Sequence, residues 1–559
     1  MSEHSTPSDL GDRFATHAVG NQPPALEPYD AWASDLPLRE AVAREGGGFA
    51  GSDGVQSDLA AYGLRAGGEL MALAVDANRF RPQLRSHDRY GHRIDRVEFH
   101  PAWHALMQAG VEAGVHAYAW RQPQQPGAHV ARAALSYLHH AAEQGSSCPL
   151  TMTYAAVPVL QREPAIASDW LPRAIAPEYD PRDVPASAKA GVILGMGMTE
   201  KQGGSDVRAN TTQARRSGEG YLLVGHKWFF SAPMSDGFLV LAQAPDGLTC
   251  FLLPRWLPDG SGRNAIRIQR LKDKCGNWSN ASSEVEFEDA FAWRVGEEGR
   301  GVPTIIQMVA LTRLDCMLGS AAEMRQATVQ ALHHVRHRSA FGRVLLAQPL
   351  MRNVVADLAL ESEAAVALAM RVARAVDASP DDAHEAALAR IATAIGKYWI
   401  CKRTPTIVNE AQECLGGAGY VEEAPLARLY REAPLNSIWE GCGNIQCLDV
   451  LRALAREPEA GAALFAELAL AKGLHAAFDR ALAALHVELA DTDALQVRAR
   501  RLVEHMALAL TASVLLRHGD PAVAGIFCRT RLDGDHGVAL GTLPRDAPFN
   551  TLVERAFAV

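Results

Sequence analysis

The nine cysteines include no CxxC pair, and Cys442 and Cys447 stand too far apart for a metal knuckle, so neither a thiolate-held metal centre nor a dithiol redox motif organises this chain. Unpaired cysteines in odd number read as reduced thiols in a cytoplasmic protein. Positive charge is not in excess: 55 Lys and Arg against 64 Asp and Glu give a net charge of −9. That balance argues against a dedicated nucleic-acid protein and leaves room only for a local basic face. Runs of about 18 unbroken apolar residues are absent, and Met1 is followed by Ser, Glu, His and Pro rather than a basic-then-apolar leader. The expectation is a soluble, unexported chain without a membrane partner. Internal repeats are also missing, which sets solenoids aside.

What is present divides the chain. At 559 residues it exceeds one compact core and fits three or four domains. Residues 1–30 are rich in Ser, Pro, Gly and His, and Pro23, Pro24 and Pro28 block regular structure, so this arm either wanders or drapes over another element. From about 36 to 161 apolar residues such as Leu59, Tyr62, Leu70, Trp103, Leu106, Val130 and Leu138 recur near the 3.6-residue period. This predicts an all-helical N-terminal domain over 1–190. Near Gly191 the period turns strand-like, at 192–194, 221–224, 238–241, 250–253 and 285–287, with Gly, Pro, Asp and Asn turns between, which predicts a small β domain over 191–300. Helices return from Gly301 in number sufficient for an antiparallel four-helix bundle over 301–454, and an Ala- and Leu-rich C-terminal helical domain over 455–559 follows. The fold class is multidomain α+β.

Three stretches carry chemistry. The run Gly197-Met198-Thr199-Glu200-Lys201-Gln202-Gly203-Gly204-Ser205-Asp206 leaves a strand and gathers hydroxyls, backbone donors and flexible glycines, as an anionic or planar heteroaromatic ligand requires; an ordinary polar turn is the bland alternative. It is neither a nicotinamide nor an ATP fingerprint. Lys227-Trp228-Phe229-Phe230-Ser231 sets aromatics beside a hydroxyl, suited to covering a ring and bonding its edge, or else to filling a core. In Ile438-Trp439-Glu440-Gly441-Cys442-Gly443-Asn444 a carboxylate lies between an aromatic wall and flexible glycines, an environment that raises basicity; a helix cap or an ion pair would look the same.

Together these segments resemble the acyl-CoA dehydrogenase flavoprotein family, whose helical, β-barrel and four-helix domains follow in this order. Arg338-Ser339-Ala340-Phe341-Gly342 with Gln348 looks like the family's RxxFG…Q segment, whose arginine meets the FAD pyrophosphate of a neighbouring subunit, and a bidentate guanidinium suits a diphosphate. Leu415-Gly416-Gly417-Ala418-Gly419-Tyr420 resembles the loop that touches the adenosine part of FAD. The resemblance therefore implies an FAD site from Met198, Thr199, Ser205, Trp228, Phe230, Ser231, Arg338, Phe341, Gln348, Gly416, Gly417, Trp439, Gly441 and Asn444. It also implies a homotetramer.

In such dehydrogenases a glutamate removes the α-proton of an acyl thioester while hydride passes from the β-carbon to flavin. Glu440 matches that base, in WEG rather than the commoner YEG; the position used instead by isovaleryl-specific relatives is Thr312, which cannot act as one. The runs MGMTEKQGGSDV, GHKWFFS, RLKDKCGNWSNAS and RLYREAPLNSIWEGCGNIQCLDVLR are similar to one branch, the AidB-type DNA alkylation-response flavoproteins. Trp278 stands where that loop is expected to be basic. Relatives of this branch are credited with binding duplex DNA through the C-terminal domain, and here that role would fall to Arg452 and Arg456, to Arg498, Arg500 and Arg501, and to Arg529 with Arg531. Acids and bases are nearly balanced after Arg452, so a solvated helical domain remains the bland reading. Three functions stay open: a DNA-binding flavoprotein that destroys or excludes alkylating agents, a metabolic acyl-CoA dehydrogenase making trans-2-enoyl-CoA, and a structural DNA cover.

Overall fold

The computed structural model describes residues 16–558. Residues 1–15 of the expected N-terminal arm lie outside the described part. The rest of the arm drapes. Asn21 bonds to Ser339 just past the end of one long helix, and Pro24, Glu27 and Tyr29 bond in turn to His333, Gln330 and Gln326 down that helix.

The N-terminal domain contains helices α1 (Leu36–Ala50), α2 (Asp53–Ala66), α3 (Glu69–Arg79), α4 (Pro101–Ala113), α5 (Tyr118–Arg121), α6 (Ala128–Ala142), α7 (Ser147–Leu160) and α8 (Pro164–Ala174). It is not all-helical. Strands β1 (Gln83–His87) and β2 (Arg93–Glu98) form an antiparallel hairpin between α3 and α4. Their residues are mostly Arg, His, Asp and Glu, so no apolar alternation marks them, and Gly91 at φ 89° makes the turn.

Strands β3 (Leu194–Gly197), β4 (Gln213–Ser217), β5 (Gly220–Ser231), β6 (Gly237–Ala244), β7 (Gly247–Pro254), β8 (Ile266–Leu271) and β9 (Ser282–Val295) form one sheet. Its order is β3-β6-β4-β5-β9-β7, with β8 on β9, and pairing of β6 with β7 closes it into a barrel. Period reasoning misses β4 and β8, whose arginine- and glutamine-rich residues face solvent on one side.

The bundle consists of α9 (Gly301–His337), α10 (Pro349–Ala378), α11 (Ala383–Cys414) and, beyond the short α12 (Pro425–Glu432), α13 (Gly443–Arg456). A small hairpin, β10 (Ser339–Ala340) with β11 (Arg343–Val344), joins α9 to α10. Pro349 opens α10 at its first turn, where no amide donor is missed, and Asp382 caps α11 by accepting from the amides of His384 and Glu385 at 2.8 and 3.2 Å. Among the described residues α9 alone is long and apolar enough to cross a membrane, and its apolar window is mostly buried against the neighbouring helices.

The C-terminal helices are α14 (Pro458–Ala469), α15 (Ala476–Ala490), α16 (Leu495–His518), α17 (Pro521–Phe527) and α18 (Phe549–Ala556). They pack directly on the bundle, α14 on α11, α16 on α13 and α18 on α10, and share its hydrophobic core. Arg555 of α18 reaches both Glu363 of α10 and Glu40 of α1, stitching the end of the chain to its beginning.

Candidate active site

Three domains meet around one apolar cluster: Cys148 and Met152 from α7, Leu194 and Leu239 from the barrel, and Ile305, Met308 and Leu311 from α9. Met198 and Trp439 pack against its open edge, half-buried. Glu440 follows Trp439 directly. The turn that carries it adopts two successive left-handed residues, Glu440 at φ 58° and Gly441 at φ 93°. For glycine this is free, whereas for glutamate it costs about 1 to 2 kcal/mol, so the surroundings must impose it.

They do so through side chains from three helices. Arg313 of α9 donates to the Glu440 carbonyl at 3.0 Å, Gln446 of α13 donates to the same carbonyl at 3.1 Å and to that of Gly441 at 2.8 Å, and Lys397 of α11 donates to the carbonyls of Trp439 and Gly441. The Trp439 indole is fixed by donating to Asn436 at 2.8 Å.

Among the described residues the Glu440 carboxylate has no ion pair. Its partner is the Thr312 hydroxyl, which donates to Oε2 at 2.7 Å and also lies 3.0 Å from the Val309 carbonyl. Burial raises the carboxyl above its ordinary value; the Thr312 hydrogen bond and the charges of Lys397 and Arg313 pull it back only in part. A carboxylate tuned this way accepts a proton more readily than an exposed one. The hydroxyl suits both states: it donates to the ionised carboxylate, and it can turn to Val309 and accept from the protonated one. The sequence singled out Thr312 only as a position unable to serve as the base and gave no sign of Lys397; packing opposite Glu440 brings both to the site.

The other predicted residues fall into groups. The loop after Thr199 is tightly folded, and a Cβ on Gly204 would sit 2.4 Å from Thr199 Oγ1, so glycine there lets the backbone close while Ser205 stays exposed. On β5, side chains alternate. Phe230 points into the barrel core, 0 % exposed and packed on Phe238 and Phe287, so its ring does not line the cleft. Its neighbour Phe229, 51 % exposed, shares a face with Ser231. The Trp228 ring is covered by Lys272, whose ammonium lies 3.4 Å from its centre.

Arg338, Phe341 and Gln348 gather on the small hairpin. Phe341 stands at its tip at φ 52° and is 99 % exposed, Gln348 donates to the Ala340 carbonyl at 3.1 Å, and Arg338 donates to the Asn21 carbonyl at 2.6 Å. Gly416, at φ 60°, and Gly417 end α11 with open space where a Cβ would be, and Tyr420 beside them is largely exposed. Neither group touches Glu440, so within one chain the predicted FAD residues form separate surfaces. Trp278 takes a structural role. Its ring is sandwiched between Arg81 and Arg431, 3.6 and 4.0 Å from its centre, and its indole donates to Lys274, so it joins the N-terminal hairpin region, the barrel and α12.

The arginine groups separate sharply. Arg531 is 6 % exposed and holds Asp357 and Glu361 of α10. Arg529 is paired with Asp535 and Asp546, Arg501 with Glu488, and Arg498 spends its donors on Asp491 and nearby carbonyls. Packing removes Arg531 from the expected DNA-facing group with Arg529, because its guanidinium is buried against two acids, whereas Arg529, Arg501 and Arg498 keep part of their surface while bonded to local acceptors. Arg452, Arg456, Arg500 and Arg501 are exposed. Arg452 lies 3.6 Å from Asp449, and Arg500 donates to Asn444 at 2.8 Å. Asn444, Leu448, Arg452 and Arg456 recur every four residues along the outer face of α13.

Known proteins place this arrangement. The pattern of the adaptive response protein AidB N-terminal domain matches residues 21–181, that of the acyl-CoA dehydrogenase middle domain residues 195–290, and that of the acyl-CoA dehydrogenase C-terminal domain residues 299–455. AidB of Escherichia coli (strain K12) is 48% identical over 531 residues, covering 94% of this chain and 96% of its own. Caenorhabditis elegans ACDH-11, solved in complex with C11-CoA, superposes with a TM-score of 0.83 at 26% identity, covering 93% of this chain and 94% of its own. The apo form of Bd2924 gives a TM-score of 0.82 at 28% identity, covering 89% and 99%. From its domain order, its Glu440 turn and these relatives, the chain belongs to the acyl-CoA dehydrogenase family, in the AidB-type branch.

Proposed function

We propose that this protein is an FAD-dependent oxidoreductase of the acyl-CoA dehydrogenase type, with Glu440 as the base that removes the α-proton of an acyl thioester. The observation that carries this is the half-buried Glu440 carboxylate, without an ion pair among the described residues and held by a hydroxyl in a strained turn at the meeting of three domains. The residues fit a flavin. The tight Thr199 loop offers backbone donors, Phe229 and Ser231 offer a flat face with a hydroxyl, and Trp439 walls the other side. Arg338, half-buried, with the exposed Phe341 and the exposed Gly416 turn, none of them in contact with Glu440, would hold the diphosphate and adenosine of a neighbour's FAD in a homotetramer. When bound, the flavin supplies the hydride acceptor. The chain's own part is to align the thioester, exclude water through Trp439, Met198 and Leu311, and take the proton at Glu440 Oε2 or Oε1.

The protein should copurify with non-covalent FAD, and anaerobic titration with a panel of acyl-CoAs should bleach it. Glu440→Gln should slow bleaching by roughly a thousandfold or more with FAD retained, because the amide keeps the shape but accepts no proton. Bleaching at the wild-type rate would remove Glu440 as base.

A second reading concerns the cell. The AidB relationship and the exposed Arg452, Arg456 and Arg500 support a cytoplasmic role in the response to DNA alkylation, in which the outer face of α13 contacts duplex DNA and the flavin site acts on an acyl-CoA or an alkylating agent. Four copies would merge these short stripes into a longer path. Repeating the titration with duplex DNA present separates this role from purely metabolic acyl-CoA oxidation.

A further inference from the structure

Lys397 lies in the middle of α11, 1 % exposed, and among the described residues it has no carboxylate within ion-pairing distance. Its ammonium donates instead to three carbonyls, those of Asn436 at 2.9 Å, Trp439 at 2.9 Å and Gly441 at 3.0 Å. An ammonium has three N–H groups, so every donor is used on one short turn. Buried cations are ordinarily paired with acids, because taking an unpaired charge out of water costs several kcal/mol. Here the turn itself solvates the cation.

The carbonyls chosen are informative. Those of Trp439 and Gly441 flank Glu440 and converge on Lys397, whereas the Glu440 carbonyl is taken by Arg313 and Gln446. Three consecutive carbonyls are thus fixed in direction by side chains from α9, α11 and α13. The backbone at residue 440 has no freedom left, and the left-handed conformation it would otherwise avoid is imposed.

We infer that Lys397 is a positioning residue for Glu440: its buried ammonium gathers the 436–441 turn about itself and so sets where the carboxylate stands opposite Thr312. This rests on the reading of Glu440 as the base. The same cation acts on the charge of that base. Facing Glu440 are Thr312, Arg313 and Cys316 from α9, Lys397 from α11 and Cys148 from α7. Only Lys397 and Arg313 are cations, and both favour the ionised carboxylate. Removing Lys397 therefore displaces the base and makes it harder to ionise. A lysine suits the task better than an arginine, since a point charge can serve three converging acceptors and a planar fork cannot.

The test reads the carboxyl directly. The infrared C=O band of protonated Glu440, defined as the band lost in Glu440→Gln, is followed against pH in the substrate-free holoenzyme of wild type, Lys397→Met and Lys397→Arg. For Lys397→Met the midpoint should rise by about one pH unit, and acyl-CoA-dependent bleaching should slow roughly a hundredfold with little change in KM. For Lys397→Arg the charge persists, so the midpoint should stay at the wild-type pH while bleaching still slows. A folded, FAD-containing Lys397→Met with wild-type midpoint and wild-type bleaching overturns the inference. Should Lys397→Met not fold, Lys397→Arg decides: wild-type bleaching in that variant overturns the clamp. If Glu440→Gln itself bleaches normally, the base assignment falls, and the infrared midpoints still show whether Lys397 governs this carboxyl.

Discussion

The Glu440 turn and the C-terminal arginines are treated in opposite ways by the same bundle. At Glu440 a half-buried carboxylate stands beside two cations, yet both are engaged by backbone carbonyls or by another acid, and among the described residues the carboxylate keeps only a hydroxyl. In the C-terminal domain Arg531 is buried with Asp357 and Glu361, and Glu361 is shared further with Arg403, so charge is cancelled locally. An unpaired buried charge stores reactivity, whereas a cancelled one contributes to holding two domains together. The residue types are the same, and the partners decide.

This contrast can be broken by mutation, starting where the effect is largest. Arg531→Ala leaves the buried Asp357 without its cation and Glu361 with Arg403 alone, and unfolding should show a loss of about 3 to 5 kcal/mol with DNA retention unchanged. A loss under about 1 kcal/mol would mean that the pair is not an interior one. Next is Glu432, a buried carboxyl with one oxygen lacking any partner; burial, with the nearby Glu323 and Glu143, pushes it up to about 7 from 4.5. The folded state then holds a proton that the unfolded state has released, so this group's contribution to stability falls as pH rises from 4.5 to 7. Glu432→Gln should flatten that decline by on the order of 2 to 3 kcal/mol; an unchanged stability profile between those pH values would refute it.

Smaller effects probe the unpaired side. Thr312→Val removes the hydroxyl that favours the ionised base, and the acid limb of the bleaching rate should move to higher pH with a roughly tenfold loss at neutral pH. If the limb does not move, Thr312 is only a packing residue. Smallest in free energy is the double variant Arg452→Glu with Arg456→Glu. It should reduce the slope of log affinity for duplex DNA against log salt by about 2, since each phosphate contact adds nearly one, and should leave thermal unfolding and FAD content alone. Retention of the full slope would move any DNA contact off α13.

Much of the architecture was legible. The change of period near Gly191 and back near Gly301 marks real changes of structure, with β3 starting at Leu194 and α9 at Gly301. The β1–β2 hairpin was not legible, because its charged strands carry no apolar alternation. Nor was the choice between Phe229 and Phe230. Adjacent aromatics look alike in sequence, and the facing is set by the register of β5 on β9, which shifts between Lys227 and Phe230.

By itself the sequence determined what is local: the order of helical and strand-forming segments, the glycines that permit left-handed turns at Gly416 and Gly441, and a glutamate between an aromatic and a flexible turn. These follow from steric and hydrophobic preferences that act over a few residues. Only the tertiary structure decided which charges are free. Thr312 meets Glu440 across 128 residues, Lys397 reaches Gly441 across 44, and Arg531 finds Asp357 across 174. A side chain's partner is fixed by which helices pack together, and its charge acts or is silenced according to that partner, so the surroundings of Glu440 and of Arg531 are set by long-range packing acting on locally chosen residues.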